Sequence, residues 1–380
     1  MSATQPDPVN AAPAQRRLGR LVVRLLGIAL GAASLGWCVW MAVDPGNPER
    51  QSQFERLRHA DPGMIAAMLA LSLGTVVINA LLFWALLAPV RRLRVVDMLA
   101  VNGACMLISY LPLKLGAVFR VLVHNRRDRI PLATIGAWFA AMVVVMGVAY
   151  APPVLATLWL GSITPAWFGA VAAGEILGIV VLVAGARLLR GHTGLDRLAR
   201  FVGAIPLLPL GRVLRTRLWG NLHAGFDMLA SPGAVAGSVL LRLADMGIHA
   251  SRFIVAATIL GVDLPPAQAL PISVAYFLIG IVSPSGLAGL REGAATGLAG
   301  LLLASAGATR EAISAFAAVA LLVSATEAVV YLSVGVAGLA WLRPDRLLRV
   351  KGPAGCGAQD SAAGPRAQPD PPRATVPREP

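Results

Sequence analysis

Long apolar runs bounded by arginines constrain this chain more than any other feature. Residues 63–90, 131–160, 166–186, 233–260 and 311–342 each meet the length of about 20 residues that a helix needs to cross a hydrocarbon core. In lipid every backbone N–H and C=O must be satisfied within the segment, so repeated runs of this kind specify an all-α, polytopic transmembrane bundle. The chain is 57% hydrophobic and only 14% charged, against about 45–50% and 25% in soluble domains. Its net charge of +14 comes almost wholly from arginine, Lys114 and Lys351 being the only lysines. The arginines stand in short segments between apolar runs. That is the distribution that orients membrane helices, so a nucleic-acid partner is not expected. Cys38, Cys105 and Cys356 form no metal or disulfide pattern, and neither a metal nor another cofactor is expected.

Arginine placement also sets an expected orientation. Residues 1–15 read as a disordered tail. Arg16, Arg17, Arg20 and Arg24 then precede an apolar run to Val43, with Trp37 and Trp40 at its far end. The run is too long for a signal peptide, so it reads as an uncleaved first helix with a cytoplasmic N-terminus. The basic stretch 187–217 alternates arginine with apolar residues, as an interfacial helix on an anionic leaflet would, although a solvated loop also fits. Arg343, Arg346, Arg349 and Lys351 place the C-terminus in the cytoplasm. The transmembrane domain is therefore bounded at 16–350, with residues 351–380 as a second disordered tail.

Two segments break the pattern. Residues 98–124 are flanked by arginine on both sides and carry Pro112, Lys114, Gly116 and Arg120 within them. A hairpin entering and leaving on one face satisfies both flanks, and a kinked span with Lys114 snorkelling to an interface is the alternative. Residues 267–304 form two short arms around Ser283, Pro284, Gly286, Gly289, Arg291 and Glu292. Gly and Pro loosen a helix, and freed backbone groups at membrane depth belong beside protein or a water-filled cavity. Ionisable groups there cost roughly 2.5–3.5 kcal/mol each and tend to mark function. Opposed, interrupted segments of this sort point to a transport site near the midplane. The expected architecture is about 6–8 spans with two broken or re-entrant segments.

A third feature is a polar stripe on the run 233–260. At 100° per residue, Arg242, Asp245, His249 and Arg252 fall within an arc of about 80°. Such a stripe should face the bundle interior, as a self-satisfied structural network, as part of a functional path, or as both. Arginine matches phosphate geometry, so Lys114, Arg120 and Arg291 are read as a phosphate-binding set, with Glu292 paired to Arg291 or to a cationic part of the substrate.

The two broken segments resemble the lysylphosphatidylglycerol synthase transmembrane family of flippase-like proteins. Pro112, Gly116 and Arg120 match its P-x-x-G-E-x-x-R-like element, with Ala117 at the acidic position. Ser283, Pro284, Ser285, Gly286, Leu287, Ala288, Gly289, Leu290, Arg291 and Glu292 match its S-P-G-G-L-G-x-x-E-like element, with Ser285 for one glycine and one extra residue before the acid. The resemblance implies movement of lipids such as aminoacylated phosphatidylglycerol across the bacterial inner membrane, or of another envelope lipid such as a hopanoid. It implies membrane lipids as partners, beside a separate lipid-synthesising enzyme. The chain is expected to carry the membrane half alone, without a cytosolic synthase domain.

Three functions compete at this stage. A lipid translocator fits the broken segments best. A non-catalytic accessory protein of a lipid-modifying complex would use them only for packing. A membrane-embedded enzyme would need a nucleophile–base set or metal ligands. The sequence has no HExxH, GxSxG or Asp-rich loop, so the chain is not expected to be an enzyme.

Overall fold

The computed structural model describes residues 29, 33, 36–40, 55–111, 114–191, 194, 224–283, 289–305 and 310–343. Both tails, most of the first apolar run and most of the basic stretch 187–217 lie outside the described residues, as do Pro112, Pro284 and Gly286.

Among the described residues the regular structure is helical. In chain order the helices are α1 (Pro62–Leu87), α2 (Val95–Ile108), α3 (Leu115–Arg126), α4 (Leu132–Leu160), α5 (Pro165–Leu189), α6 (Ala224–Leu229), α7 (Pro232–Leu260), α8 (Pro266–Val282), α9 (Leu290–Ser305) and α10 (Arg310–Leu342). Five of them, α1, α4, α5, α7 and α10, are long and apolar enough to cross a membrane.

Local chemistry sets their ends. Asp61 caps α1 by accepting from the Gly63 N–H at 2.9 Å, ahead of Pro62 at the first helical position. Gly161, at φ 67°, ends α4. Thr164 then caps α5 by accepting from the Trp167 N–H, so a short turn joins the two spans. The exposed face of α5 carries Phe168, Ile176, Leu177, Val180 and Val181, each at least 58% exposed. A surface of that kind belongs against lipid.

The run 98–124 is a hairpin, not a kinked span. Asp97, Asn102 and Cys105 on α2 face Arg127 at the C-cap of α3 and Arg120 and Gly116 within it, so contacts descend one helix as they climb the other. At 1.5 Å per residue, arms of 14 and 12 residues reach only about 21 and 18 Å, short of the roughly 30 Å core. A Cβ on Gly116 would stand 2.4 Å from the Cys105 carbonyl oxygen, so only glycine permits this approach. Helices α8 and α9 form the second broken unit, joined through Ala269, Ile272 and Tyr276 with Ala295, Ala299 and Leu303.

Two cores flank α7. One surrounds Trp138 and takes in Leu82, Val145, Met228 and Val239. The other surrounds Phe253 and Phe316, whose rings stack 5.8 Å apart. Helix α2 lies against α10 along a glycine seam. Gly103 faces the Val334 backbone, Gly335 faces Leu107, and Gly338 faces the Ala100 carbonyl. Small residues let helices approach closely where lipid supplies no hydrophobic drive to bring them together.

Candidate functional site

Helix α7 supplies the first half of a buried charged network. Arg242, Asp245, His249 and Arg252 are all at most 5% exposed, as an inward polar stripe requires. Arg242 donates to Asp245 at 2.7 Å. The other Asp245 oxygen lies 3.8 Å from His249 Nε2, and His249 Nδ1 lies 3.3 Å from Arg252 Nη1. Arg242 also rests on aromatic faces, 5.1 Å from the centroid of Phe277 and 5.9 Å from that of Tyr150.

The network then crosses to α10 and α9. Arg252 pairs with Glu327 Oε1 at 2.6 Å, and Arg291 pairs with Glu327 Oε2 at 2.6 Å. The Tyr276 hydroxyl donates to the same Glu327 oxygen at 3.1 Å. Arg291 Nε donates to Glu292 at 2.8 Å, and its Nη2 donates to Ser324 at 3.3 Å. The Ser324 hydroxyl in turn donates to Glu292. Glu292 also accepts from the Gly289 N–H at 2.6 Å, the reciprocal half of a capping box at the start of α9. Gly289 has φ 96°, a conformation that excludes a side chain in practice.

Three guanidinium groups, Arg242, Arg252 and Arg291, thus meet three carboxylates, Asp245, Glu327 and Glu292. The network is neutral as a whole, which is the condition for keeping so many ions out of water. It retains spare capacity: Arg242 Nε, Arg252 Nε and Asp245 Oδ1 are buried without hydrogen-bond partners.

The two broken units meet where the start of α3 reaches the end of α8. Lys114, in the left-handed conformation at φ 56°, opens α3. Its Nζ donates to the Gly280 carbonyl at 3.1 Å and to the Ile281 carbonyl. Those carbonyls belong to the last turn of α8, at the negative end of the helix dipole, so an ammonium group is well placed there. Buried Ser283 follows as the cap of α8, its N–H donating to Ile279 at 2.7 Å.

The expected site residues therefore sort into separate groups. Arg242, Asp245 and His249 join Arg291 and Glu292 in one network. Lys114 closes the junction of the hairpin tips. Arg120 stands on other partners: it donates to Asn102 and lies 3.8 Å over the Phe83 ring. The phosphate set of Lys114, Arg120 and Arg291 is thus dispersed over different partners. Sequence reasoning leaves out Glu327, Tyr276 and Ser324 as site residues. Glu327 carries a readable signal, since an acid within an otherwise apolar span calls for a buried cation. Tyr276 and Ser324 carry none.

Comparison with curated proteins gives no match, and comparison with solved structures gives none. A family model does match, over residues 24–335, from the first apolar run into α10 and through both broken units. The chain is a multi-pass membrane protein, and it belongs to the family described as the lysylphosphatidylglycerol synthase TM region.

Proposed function

We propose that this protein binds a lipid headgroup at the Arg242–Glu292 network and moves the lipid across the bilayer. The observation that carries the reading is the junction between two broken units lying beside a neutral, buried charged network. Lys114 joins the two units through two backbone carbonyls, a contact that can open without leaving a carboxylate stranded. Parting of the tips opens a way to Arg291 and Glu292 at the N-terminus of α9, where backbone N–H groups and a guanidinium favour a phosphate. A headgroup that carries both a phosphate and an ammonium matches the adjacent Arg291 and Glu292. Aminoacylated phosphatidylglycerol has that chemistry. The role is transport without catalysis, in the bacterial inner membrane. Both termini lie in the cytoplasm in this reading, which the arginine clusters support. A separate lipid-synthesising enzyme supplies the substrate.

Reconstitution in liposomes with labelled lipids tests this reading. Wild-type protein is expected to accelerate transbilayer movement of anionic or aminoacylated phosphatidylglycerol over empty liposomes. Arg291→Gln is expected to slow it by about 10- to 100-fold, the equivalent of one lost charge-assisted contact of roughly 1.5–3 kcal/mol. No acceleration for any headgroup would leave the accessory-protein reading in its place.

A further inference from the structure

His249 differs from the other ionisable groups of the buried network. Asp245, Glu292 and Glu327 each hold a guanidinium within 2.6–2.8 Å, so protonating any of them would break an ion pair. His249 has no such pair to lose. Its Nδ1 lies 3.3 Å from Arg252 Nη1. A guanidinium only donates, so Nδ1 is the accepting nitrogen and the ring proton sits on Nε2. Nε2 lies 3.8 Å from Asp245 Oδ1, a buried oxygen without a hydrogen-bond partner. His249 is therefore neutral in this arrangement, with one basic lone pair, at Nδ1.

The contact that covers this lone pair is the one that yields. Arg252 holds Glu327 through Nη2 at 2.6 Å, an ion pair, and reaches the neutral His249 ring through Nη1 at 3.3 Å. The charges that act on His249 are Asp245, Arg242 and Arg252 from α7 itself and Glu327 from α10. Helix α8 sets the Phe277 ring 5.2 Å away, and α4 sets Tyr150 against Arg242. Helix α1, packed along α7, carries no ionisable side chain.

Charge then decides what happens when a substrate enters. The network is neutral, with three guanidinium groups against three carboxylates. An anion brought into it leaves one negative charge without a counter-charge, which is costly away from water. One proton on His249 Nδ1 cancels that charge. We propose that His249 is the proton site of a symport, in which an anionic headgroup crosses together with one proton. The proton comes from water on the loading side, occupies Nδ1 while the headgroup is bound, and returns to water on the other side. Arg252 Nη1, released from Nδ1, donates to the headgroup. The proposal rests on the reading that the network carries a headgroup, and it adds the coupling ion and the energy source.

The test measures where lipid stops rather than how fast it moves. Full-length protein is reconstituted in liposomes with a trace of fluorescent phosphatidylglycerol. The interior is held one pH unit more alkaline than the bath, and equal potassium with valinomycin keeps the membrane potential at zero. Quenching from outside reads the share of label in each leaflet, against protein-free liposomes. Symport with one proton enriches the inner leaflet by about tenfold, the ratio that one pH unit sets. Movement of the anion alone ends at equal shares. Alanyl-phosphatidylglycerol has no net charge and needs no proton, so it is expected to end at equal shares with wild-type protein. His249→Gln is expected to end at equal shares with phosphatidylglycerol. The ratio is an endpoint, so a slower variant still reports it, and His249→Asn takes its place if His249→Gln fails to fold. Equal shares of phosphatidylglycerol with wild-type protein that moves it overturn the coupling and leave transport standing. Tenfold enrichment that persists in the His249 variants overturns the assignment to His249. No movement of either lipid by wild-type protein overturns transport and coupling together.

Discussion

Replacing Glu327 by alanine is expected to destabilise the protein by about 3–5 kcal/mol and to abolish lipid movement. Glu327 is 1% exposed and holds Arg252 and Arg291 at 2.6 Å each. Without it two guanidinium groups face each other in a low-dielectric interior, and the network carries a net positive charge. The Tyr276 hydroxyl loses its carboxylate partner at the same time. Thermal unfolding in detergent reads the loss directly. The double variant Arg252→Met/Glu327→Leu separates stability from function. It removes one cation with one anion and restores neutrality, and apolar side chains often replace a buried pair without loss of stability. Tm is therefore expected to recover in the double variant, while lipid movement stays low. A single Glu327→Ala variant as stable as wild type would show that these ion pairs do not hold α7, α9 and α10 together.

The glycine seam between α2 and α10 gives the second large effect. A Cβ on Gly338 would stand 2.4 Å from the Ala100 carbonyl oxygen and 3.1 Å from the Ala104 nitrogen. Both are backbone atoms of a helix, so neither can step aside as a side chain could. Gly338→Ala is expected to cost about 1–3 kcal/mol, and Gly338→Leu to force α2 from α10 and prevent recovery of folded protein. Gly147 on α4 supplies the contrast, with nothing within 4 Å of a built Cβ. Gly147→Ala is expected to be neutral or to stabilise by up to about 1 kcal/mol through helix propensity. Thermal denaturation of the variants side by side decides the matter. Equal Tm values for Gly338→Ala and Gly147→Ala would remove the seam from the account.

Features with local causes were legible in the sequence. Apolar length and arginine flanks identified the spanning helices. Arginine on both sides of residues 98–124, with Pro112 and Gly116 between, identified a hairpin. The period of Arg242, Asp245, His249 and Arg252 identified an inward face, because periodicity reports which way a side chain points. It does not report what the side chain meets there. Arg252 finds Glu327, and Lys114 finds Gly280 and Ile281. Each of these pairings joins helices distant in the chain, and no local pattern encodes them.

The different partners of Lys114, Arg120 and Arg291 were not legible for the same reason. Three cations in two related motifs looked convergent, but each is held by its own neighbours: backbone carbonyls, Asn102 with Phe83, and Glu327 with Glu292. The glycines of the spans were also open to misreading. In sequence a glycine within an apolar run suggests a loosened helix. Gly103, Gly335 and Gly338 instead mark the closest helix contacts, because the missing Cβ is what admits the partner backbone.

Lipid movement by this route requires the tips of the two broken units to part, so that a headgroup reaches the charged network. Linking the tips tests it most directly. In a background with Cys38, Cys105 and Cys356 replaced by serine, Lys114→Cys and Ile281→Cys are joined by a short reducible bis-methanethiosulfonate. Lipid movement is then measured in liposomes before and after reduction. The linked protein is expected to move lipid no faster than empty liposomes, and reductant is expected to restore movement. Linked protein that moves lipid as fast as its reduced form would show that the tips need not part.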